Sequence, residues 1–177
     1  MRVLVMYESM FGNSERIARA VAEGLAESVE VLVRDVTSTP PGEIPPDVDL
    51  LVVGGPTHAF SMSRPTTRED AIRQGARQGL VSRGLREWLE PIRDLGGLPF
   101  ATFDTRVSRV RRMPGSAARS ASRALRRHGG RSLAPSESFF VDDVPGPLAT
   151  DETARARAWG RGLAGLALGE GERAVAR

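Results

Sequence analysis

Three short stretches of this chain carry side chains suited to binding or reaction. The first is Tyr7-Glu8-Ser9-Met10-Phe11-Gly12-Asn13-Ser14. Ser9 and Ser14 offer hydroxyl donors there, and Gly12 offers a backbone that takes positive φ or lets a ligand approach closely. The second is Gly54-Gly55-Pro56-Thr57-His58-Ala59-Phe60, which places an imidazole and a phenyl ring beside a hydroxyl. The third is Asp104-Thr105-Arg106-Val107-Ser108-Arg109, a carboxylate, a hydroxyl and a guanidinium in succession. A turn bearing hydroxyls and one Gly, set between a strand and a helix, is chemistry for an anion: backbone N–H groups and the helix dipole converge on a phosphate without bulk positive charge. The plainer reading of the same turn is an ordinary strand-to-helix connection capped by Asn13 or Ser14.

Other chemistries are poorly served. Ser9 is not framed by Gly-x-Ser-x-Gly, so a hydrolase nucleophile elbow is absent. The chain has no Cys and only two His, His58 and His128, which excludes disulfides and leaves no credible His-based metal site. No nicotinamide site is expected. Glu8 has two readings, an acceptor for a bound ligand and, ahead of it, a solvated turn carboxylate. His58 has two readings, a ligand contact or a loop imidazole bonded to backbone, and Phe60 is either a ligand contact or an anchor of its loop in the core.

The elements that must position these stretches alternate between strand and helix. Arg2 to Met6 is a β-branched, apolar run fit for a buried strand, and Ile17, Ala20, Val21, Gly24 and Leu25 then recur at helical spacing. Val29 to Val36 reads as a second strand, Thr37 to Pro46 as a loop, and Asp49 to Gly54 as a central strand buried on both faces. Thr66-Thr67-Arg68-Glu69 has the form of a capping box for a helix running towards Gln78. Leu85, Trp88, Leu89, Ile92 and Leu95 mark another helix, bent at Pro91. Leu98 to Phe103 is a fourth strand. Pro114-Gly115-Ser116 opens a helix with Ala117, Ala121 and Leu125 on one side and Arg119, Arg123, Arg126 and Arg127 on another, stopped by Gly129-Gly130. The fifth strand divides at Pro135, with Phe139 to Val141 its more apolar half. Thr150 or Asp151 caps a last helix through Ala156, Trp159, Leu163 and Leu166. This order gives one α/β domain over residues 1–168, a doubly wound sheet with the three chemical stretches at the C-terminal ends of strands, and a frayed tail over 169–177.

The turn Ser9 to Ser14 resembles the phosphate-binding loop of the flavodoxin family, Ser/Thr-x-Thr-Gly-x-Thr, with Phe11 in place of the middle Thr. Pro56-Thr57-His58 resembles that family's second flavin-contacting loop, and Asp104 to Arg109 falls at the position of the third. The resemblance covers the chain in element order. It implies a flavodoxin-like three-layer sandwich with a five-stranded parallel sheet in the order 2-1-3-4-5. It also implies non-covalent FMN, in electron transfer or in a small FMN-dependent reductase. Backbone N–H groups of Met10, Phe11, Gly12, Asn13 and Ser14, with the Ser9 and Ser14 hydroxyls, would hold the 5′-phosphate. Pro56, Thr57, His58 and Phe60, with Asp104, Thr105 and Arg106, would hold the ring system. The family's Trp/Tyr sandwich is missing, since Tyr7 is the only Tyr and Trp88 and Trp159 lie on helix packing stripes. A guanidinium from Arg106 near the ring would stabilise an anionic reduced flavin by a few kcal/mol at an effective dielectric of about 20, which favours two-electron chemistry. The alternative is a flavin-free member of the fold that binds or regulates through a basic surface.

Composition sets the remaining bounds. A chain of 177 residues with 40% apolar and 27% charged residues buries a proper core. No apolar run approaches the roughly 20 residues of a membrane span, and the first strand starts at residue 2, so a cytoplasmic protein without a signal peptide is expected. All 25 basic residues are Arg, which reflects compositional bias. Nine fall between Arg106 and Arg131. That cluster is read first as a solvated face, next as a dock for an acidic redox partner or an anionic or quinone acceptor. Nucleic acid is the weakest of the three readings, since no aromatic residues interleave for stacking.

Overall fold

The computed structural model describes residues 1–76 and 79–175. A central sheet carries helices on both faces, in the chain order β1 (Arg2–Tyr7), α1 (Asn13–Ala26), β2 (Glu30–Asp35), β3 (Leu50–His58), β4 (Ser61–Met62), α2 (Pro65–Arg73), α3 (Leu85–Leu89), β5 (Pro99–Val107), α4 (Ala117–Arg127), β6 (Arg131–Ser132), β7 (Glu137–Val141) and α5 (Glu152–Val175). The parallel path runs β2-β1-β3-β5, and both β6 and β7 pair with β5 at its outer edge. Pro135 lies in the break between β6 and β7, so the fifth strand of the expected order is present in two pieces. Pro lacks the N–H a ladder needs and interrupts the pairing there. β4 folds back on β3 as a short antiparallel hairpin whose tip, Ala59 and Phe60, takes positive φ of 45° and 62°.

Alternation along the central strands divides the core in two. Val3, Val5, Leu50, Val52, Ala101 and Phe103 face Ile17, Val21, Leu25 and Leu163 on the α1/α5 side. Leu4, Met6, Leu51, Val53 and Phe100 face Trp88, Leu89, Ala121 and Leu125 on the α3/α4 side. Each such Val, Leu, Ile, Phe or Met side chain, fully removed from water, contributes about 1.5–3 kcal/mol. Phe103, Phe139 and Trp159 meet edge-on with centroids 6.0–6.2 Å apart, which fixes α5 against β5 and β7. α1 and α5 touch at glycines: a Cβ on Gly24 would sit 2.0 Å from the Arg157 carbonyl oxygen, and one on Gly160 2.2 Å from that of Val21.

Several boundaries differ from those read in the sequence. β3 and β5 run on to His58 and Val107, so Pro56-Thr57-His58 and Asp104-Thr105-Arg106 are strand ends and not loops. The capping box of α2 sits two residues earlier than expected: Arg64 is the N-cap in place of Thr66, Pro65 opens the helix, and Thr67 Oγ1 accepts the Arg64 N–H at 2.9 Å. It ends at Arg73, and Gln78, towards which the helix was expected to run, lies outside the described residues. α3 is only five residues long, so Pro91 follows its end and does not bend it. α5 continues through Val175, past Gly169, where the sequence reading places a frayed tail.

Candidate functional site

The turn after β1 is built around one hydroxyl. Ser9 Oγ accepts the Gly12 N–H at 3.1 Å, and Gly12 takes φ +84° at the N-cap of α1. Neither neighbouring side chain caps the helix. Ser14 Oγ lies 2.6 Å from Thr105 Oγ1, and the Asn13 amide nitrogen donates to the Pro145 carbonyl at 3.2 Å. Gly12 makes no side-chain cap, and among the described residues no side-chain bond to the N–H groups of α1's first turn is present. The capped-turn reading of this stretch therefore fails, and the positive end of α1 stays available to an anion.

The N-terminus of α4 is the opposite case. Ala117 N–H donates to Thr57 Oγ1 at 2.8 Å, Ala118 N–H to Asp104 Oδ2 at 3.0 Å, and Arg119 N–H to Ser116 Oγ at 3.2 Å. Three side chains close it. α1 and α4 thus start at the same edge of the sheet with opposite ends, one without a side-chain cap and one closed.

A cleft of about 250 Å³ adjoins that open end. Met10, Phe11 and Asn13 border it from the first turn, Pro56, Thr57 and His58 from β3, and Thr105 and Arg106 from β5. The structure thus brings together one wall from each of the three stretches. Ser9 and Ser14 are buried behind the turn. Asp104 and Phe60 stand apart from the cleft for different reasons. Asp104 is fully buried because strand alternation sends it towards α4 and Thr105 towards α1. Phe60 is 44% exposed at the hairpin tip, so it is not a core anchor.

Arg106 is buried, and one guanidinium nitrogen donates to the carbonyls of Val110 at 2.6 Å and Met113 at 3.2 Å. Its Nε has no hydrogen-bond partner among the described residues. Burial holds the His58 imidazole below its usual range, partly offset by a backbone hydrogen bond at Thr67, so the ring is neutral at pH 7.

Glu8 corrects the sequence reading: it is 1% exposed. Its carboxylate accepts the Leu85 N–H at 2.7 Å and the Ser63 hydroxyl, while Arg68 donates to the same hydroxyl at 2.7 Å and to the Val81 carbonyl at 2.8 Å. Arg68 is fully buried and lies 3.0 Å from Glu87. This network ties α2 to the residue that precedes the binding turn. Burial pushes the Glu8 carboxyl above its ordinary range, against the opposing hydrogen bonds of Leu85 and Ser63. Through α2, Thr67, Asp70, Ala71 and Gln74 form a further wall of the cleft. Sequence reasoning missed that wall, because α2's small apolar stripe gave no sign of what it faces.

Among the described residues no cluster of His, Cys, Asp or Glu is arranged to hold a metal ion, and no helix is long and apolar enough to cross a membrane. The string Gly160-Arg161-Gly162-Leu163-Ala164-Gly165 has the Gly-x-Gly-x-x-Gly spacing, which the sequence reading overlooked. It lies within α5 and not at a strand-to-helix turn, and Gly160 serves the contact with α1.

No protein-family model matches the chain. Solved structures share its fold throughout. A flavodoxin from Streptococcus pneumonia TIGR4 superposes with a TM-score of 0.67 at 15% identity, over 93% of this chain and 99% of that one. A flavodoxin from the domain Archaea gives 0.63 at 16% identity, over 94% and 99%. A flavodoxin, WrbA-like protein from Agrobacterium tumefaciens gives 0.56 at 18% identity, over 94% and 96%. The chain has the flavodoxin-like α/β fold. In sequence, 46 residues are 48% identical to an NAD(P)H dehydrogenase (quinone) of Geotalea uraniireducens (strain Rf4), a match spanning 25% of this chain and 23% of that relative.

Proposed function

We propose that the cleft binds FMN and that the protein is a redox flavoprotein, an electron carrier or a small reductase. The observation that carries this reading is the uncapped N-terminus of α1 beside a cleft walled by the ends of β3 and β5. A phosphate there would take backbone N–H groups of the turn from Met10 to Ser14, and the hydroxyls of Ser9 and Ser14, now bonded to the Gly12 N–H and to Thr105 Oγ1, would turn to reach it. Phe11 removes one hydroxyl from that set, a loss of roughly 1 kcal/mol. The chemistry FMN supplies when bound is acceptance and delivery of one or two electrons. The chain's own part is positional. Pro56, Thr57 and His58 border one side of the cleft, Thr105 and Arg106 another, and α2 narrows it. The neutral His58 ring donates or accepts a hydrogen bond without adding charge. Arg106 brings positive charge that its two carbonyl bonds leave uncancelled. A quinone acceptor is supported by the short match to a quinone dehydrogenase, and an acidic protein partner by the arginines near the cleft.

Purified protein should absorb in the blue, or acquire FMN with fluorescence quenching on titration. The same sample should oxidise NAD(P)H in the presence of a quinone if it is a reductase and not a passive carrier. Absence of saturable FMN binding would reject the reading and leave a flavin-free binding module.

A further inference from the structure

Charge is distributed unevenly along this chain. Nine of its 25 arginines and none of its 22 acids fall within residues 105–136, giving that segment nine net positive charges; the remainder, 16 arginines against 22 acids, carries six net negative ones. The fold does not disperse this block. In α4, Ala117, Ala121, Ala124 and Leu125 turn inward, leaving Arg119, Arg123, Arg126 and Arg127 exposed over a helix about 16 Å long. Exposed Arg111 and Arg112 precede that helix, in the turn whose Val110 and Met113 carbonyls receive Arg106. The basic strip therefore starts at the cleft and runs down α4.

At the two ends of the block Arg109 pairs with Asp143 and Arg131 with Glu170, and across the rest of the fold many arginines are matched as well. Arg157 pairs with Glu23, Arg161 with Glu27, Arg19 with Glu15 and Arg34 with Glu43. Among the described residues, Arg111, Arg112, Arg119, Arg126 and Arg127 have no acid within ion-pair distance, and Arg123 reaches only Ser120 Oγ, at 3.2 Å. Arg119 and Arg123, and Arg123 and Arg127, stand four residues apart, a like-charge spacing that destabilises a helix. Arg119 also occupies the first turn, the wrong end of the dipole for a cation. A face tuned only for solvation would not concentrate these penalties in one helix while the opposite side of the sheet pairs its charges.

We propose that this strip, residues 109–112 with the outer face of α4, docks an acidic protein that exchanges electrons at the cleft. The inference rests on the flavoprotein reading for the purpose of docking, but not for the surface itself. Complementary charge attracts such a partner and orients it towards the end of the strip that meets the cleft. A protein fits better than nucleic acid, because no Phe, Tyr or Trp lies between Phe103 and Phe139 to stack on bases. It fits better than a lipid surface, because one exposed large apolar side chain, Met113, stands among seven exposed arginines, too little to insert.

The test is titration with an acidic [2Fe–2S] ferredoxin at low and high salt, on FMN-loaded and FMN-free protein. The expected result is saturable binding that weakens about tenfold or more as salt is raised. The variant R119E/R123E/R126E/R127E should abolish it while FMN affinity stays unchanged. The milder R119Q/R123Q/R126Q/R127Q, checked by melting temperature, should give an intermediate loss if the charge-reversed protein fails to fold. Ferredoxin binding that survives both variants overturns the proposal, as does tighter binding to duplex DNA or to phosphatidylserine vesicles under the same conditions. If the protein takes up no FMN, the flavoprotein reading fails by itself, and ferredoxin binding to the FMN-free chain still decides the docking surface.

Discussion

Ser14 Oγ and Thr105 Oγ1 are 2.6 Å apart across 91 residues of sequence, so the first turn of α1 and the C-terminal half of β5 share one hydrogen bond behind the cleft. That bond occupies the side chain expected to cap α1 and leaves the helix end open. It also sets the height of the binding turn relative to β5.

Ser14→Ala should therefore act on binding and on stability together. Loss of one hydroxyl partner costs about 1 kcal/mol of stability, and loss of the phosphate donor weakens FMN by about tenfold. Fluorescence titration against Thr105→Val separates the two effects, because that variant removes the bond but keeps the Ser14 donor. Equal FMN affinity in wild type and Ser14→Ala would take Ser14 out of the site.

Gly12 holds φ +84° where the turn enters α1. Gly12→Ala should lose about 1–2 kcal/mol in urea denaturation, since an L-residue is strained in that region. FMN affinity should fall with it, because the strain is relieved by moving the N–H groups that define the turn.

Arg68 is the buried cation under the cleft wall, bonded to Ser63 and Val81 and 3.0 Å from Glu87. Arg68→Met should cost about 3–5 kcal/mol, chiefly by leaving Glu8 and Glu87 without their counter-charge. The double variant Arg68→Met/Glu8→Gln should recover part of that loss in the same denaturation series. No recovery would show that the two residues are uncoupled.

Glu8 gives a pH signature. Its carboxyl is raised in the folded chain by burial, so folding favours the protonated form and the residue's contribution falls as pH rises from the ordinary glutamate range through the raised value. Glu8→Gln mimics the protonated side chain. Its melting temperature relative to wild type should therefore increase as pH rises through that window, and a constant difference would mean that Glu8 does not titrate there.

Local patterns in the chain were enough to place the sheet, the open turn from Ser9 to Ser14 and the break at Pro135. Each is written in neighbouring residues: β-branched runs, one Gly beside hydroxyls, one missing N–H. What was not legible depends on partners far away in sequence. Glu8 looks like a turn carboxylate until Ser63 and Leu85, 55 and 77 residues on, close over it. Asp104 looks like a member of the cleft beside Thr105 and Arg106, but β5 continues to Val107, and strand alternation then turns it towards α4. The cleft wall from α2 had no pattern of its own to announce it.

That wall is made by the helix that follows the β3–β4 hairpin, whereas the turn after β1 and the end of β5 belong to the framework itself. Selectivity for whatever enters beside the anion site is thereby uncoupled from the scaffold. Exchanging Thr67, Asp70 and Gln74 retunes the entrance without disturbing a strand, much as a lock is rekeyed without replacing the door.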